Sequence, residues 1–98
     1  MERKIALRVD DKDNVATVFA NEVRDGDVLE LRDKKGSCED VTVIGDVPYG
    51  HKIAAQAIQK GEKIVKYGEV IGMATTDIRR GEYVHVHNLV ALRGRGDL

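Results

Sequence analysis

Apolar and polar positions alternate along most of the chain, and that alternation predicts many short β-strands. Ile5, Leu7 and Val9 alternate with Lys4, Arg8 and Asp10, the period of two of a half-buried strand. Residues 10–14 (DDKDN) read as a polar turn, and Val15 to Phe19 returns to strand chemistry. Asp25-Gly26 is a turn dipeptide ahead of Val28, Leu29 and Leu31, and Lys34-Lys35-Gly36-Ser37 marks a loop. Val41, Val43 and Val47 continue the alternation, interrupted at Gly45. One segment changes period. Across residues 51–60, Ile53, Ala54, Ala57 and Ile58 fall on one helical face, which predicts a short helix entered after Pro48 and Gly50. Gly61 stands where a left-handed C-terminal cap belongs. Strand patterning resumes through Ile64-Val65, Val70-Ile71, Val84-His85-Val86 and Leu89-Val90.

A short grammar recurs within this layout. Residues 23–28 (VRDGDV), 58–62 (IQKGE) and 78–84 (IRRGEYV) each run as an aliphatic residue, two polar residues, Gly and an acid. Such a unit is an apolar anchor, a turn whose Gly can take positive φ, and re-entry into a strand. The starting points lie 35 and 20 residues apart, too unequal for a solenoid. The fold class expected is mainly β, compact and convoluted, with one short helix near 51–60. A single domain over 1–92 and a flexible polar tail at 93–98 complete the expected organisation.

Composition narrows the function classes. The chain has 98 residues, 42% of them hydrophobic, enough for one small folded domain. Sixteen Lys+Arg against 17 Asp+Glu leave a net charge of −1 with the signs interspersed, so the chain lacks the basic footprint of a nucleic-acid binder. No apolar run approaches the length of a membrane span, and the opening MERKIALRVDDKD does not read as a signal peptide. A lone Cys38 can form neither an internal disulfide nor a multi-thiolate zinc site, and a cytoplasmic protein is expected.

The histidines carry the candidate chemistry. His85 and His87 flank Val86, and in a strand both would point to one face with Cα atoms about 6.6 Å apart. Imidazole serves equally as a metal ligand and as an acid or base near neutral pH. The same pair could also simply face solvent beside a turn. His51 would open the helix, where the backbone dipole opposes its protonation. Lys66-Tyr67-Gly68 places a cation and a phenol beside a Gly, an arrangement suited to holding a carboxylate against the backbone, and Asn88 could orient a ring or a substrate hydroxyl. Nucleotide-loop, CxxC, HExxH and GxSxG patterns are missing.

Taken together, GHKIA at 50–54, IVKYGE at 64–69 and VHVHN at 84–88, with DNVA at 13–16 and VRDGD at 23–27, resemble one family. The chain is similar to the N-terminal, or small-subunit, domain of the altronate and galactarate dehydratases, whose relatives include the small chain of sulfolactate sulfo-lyase. The resemblance implies a β-clip fold of the SAF type and a hydro-lyase that removes water from a sugar acid to give a 2-keto-3-deoxy acid. It implies a divalent metal, Fe(II) or Mn(II), with His85 and His87 as its candidate ligands. It further implies His51, His85 and His87 as catalytic candidates and Lys52, Lys66, Tyr67 and Asn88 as substrate contacts. A separate large catalytic subunit is the expected partner, without which the chain is expected to be inactive; neither nucleic acid nor membrane is expected, and a homo-oligomer is left open. Two alternatives remain: a non-catalytic sugar-acid-binding or docking module, and the small subunit of a sulfolactate sulfo-lyase-type enzyme.

Overall fold

A computed structural model describes residues 4–91, and among them every regular element is a strand. The strands are β1 (Ile5–Arg8), β2 (Val15–Val18), β3 (Val28–Asp33), β4 (Cys38–Thr42), β5 (Lys52–Ala54), β6 (Lys63–Lys66), β7 (Glu69–Ala74), β8 (Tyr83–Val84) and β9 (Leu89–Ala91). Six form one sheet in the order β4-β3-β1-β2-β5-β8, and three form a second in the order β6-β7-β9. Only the β1–β3 pair is parallel among the described ladders. No described helix is long and apolar enough to cross a membrane. The tail expected at 93–98 lies outside the described residues.

The helix expected at 51–60 does not form; residues 52–54 are β5, paired with β2 on one side and β8 on the other. The reason lies in how the core is divided. Ala16, Val18 and Ile53 pack in one apolar cluster with Val23, Leu29 and Val41, while Val15 and Ala54 pack in a second with Ile58, Ile64, Ile78 and Val84. β2 and β5 are therefore buried on both faces, and consecutive buried residues imitate a helical stripe. Ala57, which the helical reading placed inward, is exposed. In β1 it is Ala6 that is fully buried, with Ile5 and Leu7 only half-buried, the reverse of the face read from the alternation.

The repeated grammar folds as one turn used four times. In each of the three expected copies the acid's N–H donates back to the carbonyl three residues earlier: Asp27 to Arg24, Glu62 to Gln59 and Glu82 to Arg79. The acid's carboxylate then accepts the N–H of that same residue, at 2.9, 2.6 and 2.9 Å. Gly26, Gly61 and Gly81 take φ of +90, +89 and +87°, as the third position of a type II turn requires. Gly61 thus has the expected left-handed conformation, in a turn rather than at a helix end. The fourth copy is Val47-Pro48-Tyr49-Gly50-His51, closed by His51 N–H to Pro48 O at 3.1 Å with Gly50 at φ +82°. The copies meet in pairs through bridges between Val23 and Val47 and between Ile58 and Ile78.

Two adjacent polar residues join the sheets. Asp13, 2% exposed, accepts the N–H groups of Tyr67 at 3.0 Å, Gly68 at 2.8 Å and Asp10 at 3.1 Å. Asn14 donates to Lys63 O at 2.9 Å and accepts from Val65 N at 2.8 Å. Tyr67 and Gly68 both have positive φ, the two-residue loop expected of a tight hairpin between β6 and β7. Hydrogen bonds to a charged group contribute about 1.5–3 kcal/mol each. Asp13→Ala should therefore cost about 3 kcal/mol or more, and Asn14→Ala about 2 kcal/mol, in urea unfolding. A glycine pair gives a second check. A Cβ on Gly61 meets nothing within 4 Å, so Gly61→Ala carries only the positive-φ cost of about 1–2 kcal/mol. A Cβ on Gly81 would run into the Thr42 carbonyl, so Gly81→Ala should destabilise the chain clearly more than Gly61→Ala in the same assay.

Candidate functional site

The fourth turn differs from the others in a way that creates the site. Where three turns carry an acid that caps a backbone N–H, position 51 carries a histidine. The residue that acid would cap is Pro48, which has no N–H to satisfy. The imidazole is thereby released from turn chemistry. Its Nδ1 lies 2.7 Å from the hydroxyl of Tyr83, which opens β8 directly after the Ile78–Glu82 turn. Pairing of β5 with β8 sets Ile53 opposite Tyr83 and Lys52 opposite Val84, bringing the two turns' exits side by side.

His85 and His87 do not lie in a strand. Residues 85–88 are a turn between β8 and β9, because the buried amide of Asn88 folds the chain back on itself. Asn88, 0% exposed, accepts from His85 N at 2.9 Å and donates to Tyr83 O at 2.9 Å, while its own N–H donates to His85 O at 3.0 Å. The turn curls both imidazoles around Tyr83. The His85 ring stacks on Tyr83 at 10° and 5.7 Å between centroids, and the His87 ring is 5.4 Å from it. His51 and His85 rings lie 4.8 Å apart. The three histidines singled out in the sequence thus meet at one place, around a tyrosine the sequence reading did not single out. Its signal was available: Tyr83 follows the acid of a repeated turn, as Lys52 follows His51.

Charge in the cluster is cationic. Partial burial holds the Lys52 ammonium below the usual lysine value, and the charge of Lys66 adds to the effect. His85 is held below the usual histidine value by burial first, then by His51, Lys52 and His87. Lys66 reaches over the Tyr67 ring, 5.1 Å from its centroid, at the β6–β7 hairpin. The Lys66-Tyr67-Gly68 segment does hold a carboxylate against its backbone, but that carboxylate is Asp13. Tyr67 is exposed at the hairpin, outside the ring contacts of the histidine cluster. Cys38 is exposed and unpaired on β4.

The described residues do not fit a resident metal. No group of three or more His, Cys, Asp or Glu side chains comes together to hold one. The cluster offers imidazoles alone, with one His51 nitrogen committed to Tyr83 and the positive charge of Lys52 acting on His85. Iron(II) and manganese(II) sites draw on carboxylates that this cluster lacks.

The sequence profile of the altronate/galactarate dehydratase SAF domain matches residues 4–92. Altronate dehydratase of Bacillus subtilis (strain 168) is 52% identical over 48 residues, covering 49% of this chain and 10% of that protein. Altronate dehydratase of Escherichia coli (strain K12) is 38% identical over 82 residues, covering 84% of this chain and 15% of that protein. The (2R)-sulfolactate sulfo-lyase subunit alpha of Paracoccus pantotrophus is 42% identical over 48 residues, covering 49% of this chain and 72% of the subunit. The chain thus spans a small fraction of the two dehydratases and most of the alpha subunit.

Two outcomes are expected from this geometry. Pro48→Lys combined with His51→Glu rebuilds the capped turn, the recovered cap offsetting the lost His51–Tyr83 bond, and should leave the unfolding free energy within about 1 kcal/mol; a collapse in thermal melting would refute the shared-turn account. In NMR titration His85 should show a midpoint below the ordinary value of about 6.5, and Lys52→Met should move it upward. The unfolded chain binds the His85 proton more readily, so stability falls as pH drops through the window beneath about 6.5, and His85→Asn should flatten that slope.

Proposed function

We propose that this chain, which belongs to the altronate/galactarate dehydratase SAF-domain family, is the small part of a sugar-acid dehydratase whose larger part is a separate chain. The observation that carries the reading is the gathering of His51, His85 and His87 around Tyr83, with Lys52 beside them. Dehydration of a 2,3-dihydroxy acid breaks the Cα–H bond, forms a Cα=Cβ bond with that electron pair, and expels the 3-hydroxyl as water once it gains a proton. The resulting enol tautomerises to the 2-keto-3-deoxy acid. Each proton transfer suits an imidazole with a pKa near working pH. His85, whose proton affinity is lowered by burial and by the neighbouring His51, Lys52 and His87, is suited to exchanging a proton with the substrate. His51 is suited to proton transfer at its other nitrogen. Lys52 and Lys66 offset the substrate carboxylate, and Asn88 acts by shaping the turn that carries His85 and His87.

The divalent metal implied by the family, Fe(II) or Mn(II), would be held by the larger part of the enzyme. A cytoplasmic setting accords with that metabolic role. A second reading is favoured by the match to the sulfo-lyase alpha subunit, of which this chain spans 72%. There the same elimination would expel sulfite in place of water.

The test is to purify the tagged chain from its native cells, identify what co-elutes, and assay the mixture with hexonates, hexarates and sulfolactate. Water loss from a sugar acid, seen only in the mixture, is the expected result. Sulfite release would move the second reading forward, and a chain that elutes alone and binds sugar acids without turnover would make it a binding module. In the active mixture, His51→Ala and His85→Ala should each lower kcat by about 10²–10⁴-fold with the fold intact.

A further inference from the structure

We infer that Tyr83 is the positioning residue of the cluster: its hydroxyl holds His51 by Nδ1, so that Nε2 is the nitrogen offered to a ligand, and its ring face sets the plane of His85. The catalytic half of this inference rests on the dehydratase reading, whereas the geometric half concerns this chain alone.

Tyr83 can position others because its own backbone is fixed from several directions. Its N–H donates to Ile44 O at 3.0 Å, and its carbonyl accepts from the Asn88 amide at 2.9 Å. It pairs with Ile53 in the ladder, and its side chain packs against the first apolar cluster. Gly45, at φ +101°, brings its backbone so close that an added Cβ would lie 3.4 Å from the Tyr83 Cβ. His51 has the opposite character. Its turn gives the ring nothing to bind, since the capped N–H of the other turns is missing at Pro48. The ring's orientation is therefore set by the 2.7 Å bond to Tyr83. Whichever partner donates in that bond, Nδ1 is occupied and Nε2 is left. The same phenol ring lies nearly parallel to His85, at 10°. One side chain thus orients two imidazoles, by its hydroxyl and by its face.

Tyr83→Phe separates the two roles, and Tyr83→Leu removes both. The test records ring-nitrogen NMR of the 15N-labelled chain at mildly alkaline pH. In Tyr83→Phe the His51 nitrogens should shift by several ppm while the ring-current shift of His85 persists; in Tyr83→Leu the His85 shift should also be lost. Unchanged His51 nitrogens in Tyr83→Phe would overturn the inference. If that variant fails to fold, 3-fluorotyrosine at position 83 perturbs the same bond with every contact kept, and the His51 nitrogens should again move; if they do not, the inference falls. In the assembled enzyme Tyr83→Phe should lower kcat by about 10–100-fold with KM nearly unchanged, the signature of a misplaced group. A raised KM at unchanged kcat would overturn the positioning role. An assembly without any turnover would sink the dehydratase reading, while the nitrogen spectra still decide whether Tyr83 holds His51.

Discussion

The union of the two sheets depends on a pair of side chains standing in for a strand ladder. Asp13 and Asn14 leave the end of the β1–β2 turn and satisfy backbone groups of β6 and of its hairpin, at distances of 2.8 to 3.0 Å. The Asn14 backbone adds N–H to Val65 O at 3.2 Å and accepts from Ala55 N at 2.8 Å. Buried carboxylates are costly without partners, and this one is filled by three N–H donors. With the sheets so joined, Ala54 and Val15 close the second core from one side while Ile64 and Ala74 close it from the other. That closure keeps Lys66 near enough to Lys52 for its charge to be felt there.

The strand-rich class was legible because most strands bury one face and alternate accordingly. The segment at 51–60 was not, because β5 lies between two apolar clusters and buries both faces. Periodicity cannot distinguish that from one stripe of a helix over so few residues. The turns were legible in three copies because their acid-after-Gly pattern is local. The fourth was hidden by the same substitutions that give it a role, Pro48 and His51 in place of capped residue and cap. The histidines were found by residue type, yet their meeting place was not, since it depends on the β5–β8 ladder and on a turn shaped by a buried Asn88. Asn88 drew notice as a polar group near imidazoles, whereas both ends of its amide serve the backbone. Tyr83 escaped because nothing local marks a phenol as a partner for a residue 32 positions earlier.

A structural turn that has lost its structural acid offers a simple route to a site. The fold needs the Gly conformation and the closing backbone bond, and position 51 retains both. What it does not need there is a carboxylate. A side chain free of such duty, beside a rigid sheet, is where chemistry can be placed at small cost to stability. The other turns keep their acids and remain scaffolding.

The Asn88 turn has a consequence for how tightly any ligand can be held. Its amide ties the 85–88 backbone to internal partners, the His85 N–H and the Tyr83 carbonyl, while its own N–H donates to His85 O. His85 therefore sits on a support whose backbone is already hydrogen-bonded, which leaves less conformational entropy to lose on binding. Val86, 78% exposed, projects from the apex of that turn. Whatever meets this face must be shaped to accept it.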